Sequence, residues 1–246
     1  GWTKLARHNF VNGLLWGPDG WLYGRHGQFE SSLPGTPDTP LEHRQPMNSG
    51  IWRFHPVTHD FEIVCQGTVN PWGLDYDRHG EMFMTNNING HLWHVIPGAH
   101  YERDSGQDLN PHLYELMAPC SDHKHYFEIG DRYENGNGKT DDFGGGHSHC
   151  GGMIYYGDNF PAEYHGKIFM CNTHGRCVNC DRLEPQGSTY VGKHEPNFLT
   201  VNTPWFRGIG LTYGPTGCVY LSDWSDLGEC HDLDGVHRTS GRIYRI

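Results

Sequence analysis

The sequence predicts an all-β chain folded as a β-propeller, with about four blades in its 246 residues. Three observations carry that prediction. A glycine-anchored hairpin motif recurs four times, and a short aromatic-rich segment follows each copy. Glycine and proline are abundant (34 and 15) while hydrophobic residues make up only 35%, which suits many short strands joined by turns better than long helices.

The hairpins come in chain order. Gly20 precedes Trp21-Leu22-Tyr23, and Gly80 precedes Glu81-Met82-Phe83-Met84. Gly166 precedes Lys167-Ile168-Phe169-Met170, and Gly217 precedes Cys218-Val219-Tyr220-Leu221. In three copies a second glycine lies at one fixed offset upstream: Gly13-Leu14, Gly73-Leu74 and Gly210-Leu211. The unit is two antiparallel strands around a tight turn, where Gly and Asp tolerate positive φ or bond their own backbone. A further strand follows each: Gly50–Phe54, His91–Val95, Cys177–Asp181 and Arg242–Ile246, with Phe61–Val64 adding another after the first. Sheets of this kind set side by side would expose edges, and closing them into a ring removes the problem. The chain reads as one domain, 1–246, interrupted by a polar insertion at 99–146 that is too long for a plain connection. The last unit ends on its third strand, so a segment near the N-terminus, or another chain, is expected to complete the ring.

Charge and cysteine content bound the function. A net charge of −11 with no basic stripe argues against a nucleic-acid partner. No apolar run reaches the ~20 residues of a membrane-spanning helix. Eight cysteines in a loop-rich β protein fit an exported, oxidising setting with disulfides, periplasmic or at the cell surface. Gly1-Trp2-Thr3-Lys4 looks like the middle of a longer sequence.

Chemistry-bearing residues cluster at strand ends. His8, His147, His149, His174, Arg207, Asp223 and Asp226 all flank repeat strands, and a propeller brings such positions towards one axis. A histidine beside a carboxylate and an arginine could take a proton from an alcohol; the same groups could equally bond between blades and only fix geometry. His149, Asp223 and Asp226 are candidate metal ligands. Two wider metal sets are His147, His149, His174 with Cys150, and Asp226, Cys230 with His231. Cys177 and Cys180, with Cys171 upstream, could hold zinc with His174 or Cys150, form disulfides, or stay as buried thiols. Within the insertion, Asp122-His123-Lys124-His125 and the Asp/Asn/Gly-rich run 131–142 offer oxygen ligands for calcium.

Two sets of motifs carry a family resemblance. GTVNPWGL (67–74) followed by HLWHVIPG (91–98) resembles a blade of the soluble quinoprotein sugar dehydrogenases, six-bladed propellers that use pyrroloquinoline quinone (PQQ) with calcium. GLLWGPDGWLYG, GGGHSHCGGMIYYGDNFPAEY, NTHGR, PWFRG, SDWSDLGECHD and HRTSGRIYRI are similar, in order and spacing, to the planctomycete-type membrane-bound dehydrogenase domain. The resemblance implies an exported oxidoreductase that oxidises a sugar or alcohol at a bound quinone and passes electrons to a c-type cytochrome or cytochrome-bearing domain. It implies that His8 is the catalytic base and that Asn70, His174, Arg207 and His147 surround the cofactor. It also implies about two further blades before Gly1. Val69 and Trp205 stand where the quinoproteins have arginines, two cations fewer for a tricarboxylate. That difference keeps open a non-catalytic propeller that binds glycans or builds a surface assembly, or a propeller that binds metal through His and Cys.

Overall fold

In the computed structural model the chain is described at all residues except 89, 127–145, 228–234, 236 and 238. Four antiparallel units follow one another. The first is β1 (Asn12–Trp16), β2 (Leu22–His26), β3 (Gly50–Phe54) and β4 (Phe61–Gly67). The second is β5 (Asn70–Tyr76), β6 (Met82–Asn87) and β7 (Leu92–Val95), after which the short β8 (His100–Tyr101) returns to pair in parallel with β4. The third is β9 (His149–Ile154), β10 (Lys167–Asn172), β11 (Cys177–Gln186) and β12 (Thr189–Thr200). The fourth is β13 (Gly208–Tyr213), β14 (Val219–Asp223) and β15 (Arg242–Arg245).

The repeat glycines mark the first turn of every unit. Gly20, Gly80, Gly166 and Gly217 all have φ between 72° and 86°, a conformation that would cost any other L-residue about 1–2 kcal/mol. The neighbouring aspartates close the first two turns. Asp19 Oδ1 accepts from the Trp21 amide (3.2 Å), and Asp77 Oδ1 from those of His79 (2.8 Å) and Glu81 (3.0 Å).

The upstream glycines have a different cause. Each sits at a register shift in the first strand of its unit: Asn12/Leu14, Pro71/Gly73 and Gly208/Gly210. There the first strands of successive units press together. A Cβ on Gly73 would lie 2.2 Å from Gly152 N, and one on Gly151 would lie 2.7 Å from Gly210 Cα. A parallel bridge, Trp72↔Cys150, joins β5 to β9. β1, β5, β9 and β13 are therefore consecutive inner strands, and all four line one cleft, which is the propeller arrangement expected from the sequence.

Packing between units is aromatic and sulfur-rich. Ile51, Met84, Trp93 and Tyr101 share one cluster, and Phe169, Cys171, Val178, Phe206 and Leu221 another. Tyr155, fully buried, donates to Gly217 O (2.8 Å) and accepts from the Asn159 amide (3.0 Å), tying the third unit to the fourth. Its ring supplies apolar area while its hydroxyl is satisfied.

The structure departs from the sequence expectations in three places. The third unit carries a long β11–β12 hairpin, of which only Cys177–Asp181 was expected. The insertion is not simply a solvated loop. Its stretch around Cys120–Asp122 runs along β7 and β12, with the Cys120 amide donating to Leu92 O (3.0 Å) and the Asp122 amide to Gly192 O (3.2 Å). The expected disulfides are absent among the described residues, where seven cysteines are thiols. Cys150, Cys171 and Cys180 pack as small apolar groups in the core, and burial pushes the Cys150 and Cys180 thiols up to about 11 and about 12. Cys171, Cys177 and Cys180 join no His or carboxylate set with metal-ligand spacing among the described residues.

Candidate functional site

Every inner hairpin presents the same end to the same side. The start of its first strand pairs with the end of its second: Asn12↔Arg25, Asn70↔Asn87, His149↔Asn172 and Gly208↔Asp223. The residues at these ends form a rim stitched together by polar contacts. The Asn70 amide donates to Asn86 Oδ1 (2.7 Å), and the Ile88 amide to His147 O. The Thr173 amide donates to Ser148 O (2.9 Å), and the Thr173 hydroxyl to Gly208 O (2.8 Å). Thr68, Ile88, Arg176 and Ser225 hold positive φ on this rim, with φ of 65° and 74° at the β-branched Thr68 and Ile88. Local backbone strain of this kind persists only where surrounding contacts fix it.

The residues singled out from the sequence fall into separate groups on the rim. His8 is half-buried beside Phe29, and its carbonyl accepts from Asn70 Nδ2 (3.4 Å). Asn70 Oδ1 is buried with no hydrogen-bond partner and faces Gly27. His147 and His174 stack face to face, 4.3 Å between centroids and 12° between planes, both buried. Arg207 and Asp223 serve their own blade. The Arg207 guanidinium donates to the carbonyls of Pro204 (2.9 Å), Phe206 (2.8 Å) and Leu227 (2.9 Å), while Asp223 Oδ1 accepts from the amides of Arg207 (2.8 Å) and Ser225 (2.7 Å). Asp226 Oδ1 accepts from the Leu227 amide (2.8 Å). His149 points away from this group and lies fully buried against His91 and His125. Cys230, His231 and the run 131–142 lie outside the described residues.

Three carbonyls of its own unit accept from the Arg207 guanidinium, so removing it acts first on the closure of that blade. Arg207→Ala should cost about 3 kcal/mol of stability, since it leaves buried acceptors unpaired. Ligand affinity per folded molecule should be unchanged, as checked by denaturant unfolding alongside a binding titration.

Below the rim, the cleft between the inner strands has a volume of about 750 Å³ and holds polar groups that the sequence reading missed. Arg25 lies across Gly13, where a Cβ would fall within 1.4 Å of its Nη2. No described hydrogen bond or ion pair engages its guanidinium, and burial pushes it down to about 10. Trp72 also lines the cleft, and its indole N–H is buried without an acceptor. Asp75 Oδ2 accepts from the Ile154 amide (2.7 Å) of the next blade, and burial pushes its carboxyl up to about 6. A partly buried cation with no described partner, lining open volume, is a ready environment for an anionic or oxygen-rich ligand. Gly13, at the register shift next to the Asn12↔Arg25 pair, was the available signal, because a side chain can lie flat only over a residue without Cβ.

Comparison with known proteins places this geometry. A family model described as "Domain of unknown function (DUF7133)" matches residues 1–246. No curated protein sequence matches the chain. Among solved structures, a protein from Thermus thermophilus assigned as an oxidoreductase (glucose dehydrogenase) superposes with a TM-score of 0.59 at 19% identity, covering 94% of this chain and 63% of that one. The PQQ-bound aldose sugar dehydrogenase of Streptomyces coelicolor gives 0.56 at 17% identity, covering 96% and 61%. The apo-form aldose sugar dehydrogenase of Escherichia coli gives 0.53 at 15%, covering 86% and 60%. At these identities the likeness is one of fold, and the chain spans about three fifths of the length of those structures.

Proposed function

The chain belongs to the family described as "Domain of unknown function (DUF7133)", and from that premise we propose that it is the propeller of an oxidoreductase that oxidises a sugar or alcohol at a bound quinone. The observation that carries this reading is the Arg25 guanidinium, unpaired among the described residues of the cleft that Trp72 also lines. PQQ is a flat tricarboxylate, and the residues present fit such a group. Arg25 would hold a carboxylate, Trp72 would donate to an oxygen, and Asn70 Oδ1 would accept from a donor at the rim. Bound there, the quinone supplies a two-electron acceptor. The substrate hydroxyl would meet His8, which is half-exposed at the rim and able to take its proton. On the same reading a c-type cytochrome or cytochrome-bearing domain receives the electrons, and the setting is exported.

A second reading draws support from Arg207, whose guanidinium donates to three carbonyls of its own blade, and from Val69 and Trp205. Here the cleft binds a glycan without a cofactor.

The test is a titration of the protein with PQQ, with and without calcium, followed by dye reduction with a panel of aldoses and alcohols. The proposal expects saturable quinone binding, and a His8→Ala variant that still binds but turns over roughly 10²–10⁴-fold more slowly. Sugar binding with no quinone binding at micromolar concentration would establish the second reading instead.

A further inference from the structure

A second cluster of polar side chains lies away from the cleft, in the seam between the second and third blades. Four residues far apart in sequence meet there. His91 precedes β7, Asp181 projects from β11, and His123 and His125 come from the insertion segment that runs along β7 and β12. One ligand atom from each lies within 4.8 Å of all the others. His125 Nε2 is 2.7 Å from Asp181 Oδ1, and His123 Nε2 is 3.2 Å from the same oxygen. His91 Nε2 is 3.2 Å from Asp181 Oδ2, and the His123 and His125 Nε2 atoms are 3.1 Å apart. The side chains of His91, His125 and Asp181 are fully buried.

We infer that this seam is a binding site for one divalent transition-metal ion, zinc first, held by His91, His123, His125 and Asp181. The spacing fits. Metal–ligand bonds of about 2.0–2.2 Å in a tetrahedral site put the ligand atoms about 3.3 Å apart, so an ion enters with small side-chain shifts. The donor set is three imidazoles and one carboxylate, with no thiolate in the cluster, which suits zinc and its neighbours better than calcium or magnesium.

Asp122 backs the cluster from outside: its Oδ1 lies 3.0 Å from His123 Nδ1, and its Oδ2 is held by Lys193 Nζ at 2.6 Å. With Nδ1 engaged by Asp122, Nε2 is the ring nitrogen turned towards Asp181, and a metal ion there would take its lone pair. Carboxylate–histidine pairs of this form orient metal ligands from behind. A buried dication is then matched by a buried carboxylate, and one ion would pin the insertion to both blades. The site is independent of the quinone reading, because it lies in the blade seam and uses none of the cleft residues.

The experiment uses tag-free protein. Metal content is measured by elemental analysis, and Zn²⁺ and Co²⁺ are titrated into chelator-treated protein. About one equivalent of zinc per chain is expected, with the intense visible absorption of four-coordinate Co²⁺. Binding should also protect the chain from trypsin after the exposed Lys124. Asp181→Asn and His125→Ala should weaken zinc at least 100-fold, and the exposed His43→Ala should leave it unchanged. Asp122→Asn, at a half-exposed positioning residue, should weaken it about 10–100-fold with an unaltered fold. Absence of stoichiometric metal together with no Zn²⁺ binding at 100-fold the protein concentration would overturn the inference. So would zinc binding that survives both Asp122→Asn and Asp181→Asn. If the buried variants do not fold, the wild-type titration and Asp122→Asn still decide.

Discussion

Arg25→Met is expected to make the protein more stable and, at the same time, unable to hold an anionic ligand in the inner cleft. Burial pushes the guanidinium from 12.5 down to about 10, with no described carboxylate to offset it. Because Arg25 is only partly buried, holding that charge costs the fold about 2 kcal/mol at neutral pH. The sign is unambiguous. The folded pKa lies below the unfolded one, so the folded state binds the proton less tightly, and stability rises only as pH climbs past about 10, where the group discharges. Methionine keeps much of the length and volume over Gly13 without the charge. The melting temperature should rise by roughly 5 °C for a chain of this size. Quinone affinity should fall at least 100-fold, the loss of one charge-assisted contact in a desolvated cleft. Opposed signs, stability up and affinity down, would mark Arg25 as a ligand group rather than a structural one. A lower melting temperature, or unchanged quinone affinity, would remove Arg25 from the site.

The contrast between Arg25 and His8 shows what local sequence can encode. His8 and Asn70 stand next to recognisable motifs, so position along the chain was enough to nominate them. Arg25 sits mid-strand in Leu22–His26, and its exposure to the cleft depends on which face β2 turns inwards once β1 and β5 have paired. The seam cluster was harder still. His91 and Asp181 lie 90 residues apart and meet only because the insertion and two blades converge. The Asp122-His123-Lys124-His125 signal was visible, but its acidic neighbours suggested calcium, and nothing local placed two more nitrogen and oxygen ligands beside it. The fold was legible for the opposite reason: its signals repeat. Turn glycines and strand aromatics recur in every unit, so one misread copy is corrected by the others. The β11–β12 hairpin escaped because its strands are polar and carry Pro185 and Pro196, and pairing rather than apolar alternation holds them.

The ring itself is tested most sharply by a pair of glycines with the same backbone and different surroundings. Gly151 has φ +63° and Gly187 has φ +62°, so alanine meets the same left-handed penalty at both, about 1–2 kcal/mol. Only the space differs. At Gly187 a Cβ meets nothing within 4 Å. At Gly151 it would lie 2.7 Å from both Gly210 Cα and Leu211 N, backbone atoms of the next inner strand that cannot swing aside. Gly187→Ala should therefore unfold normally with a loss of about 1–2 kcal/mol. Gly151→Ala should lose at least about 4 kcal/mol, or fail to fold, because the third and fourth blades must separate to admit one methyl group. Denaturant unfolding of the two variants reads the difference directly, with the shared dihedral cost cancelling. That difference measures how tightly β9 and β13 approach around the shared cleft. Equal losses at the two sites would mean that the inner strands do not touch, and the cleft that Arg25 and Trp72 line would have no fourth wall.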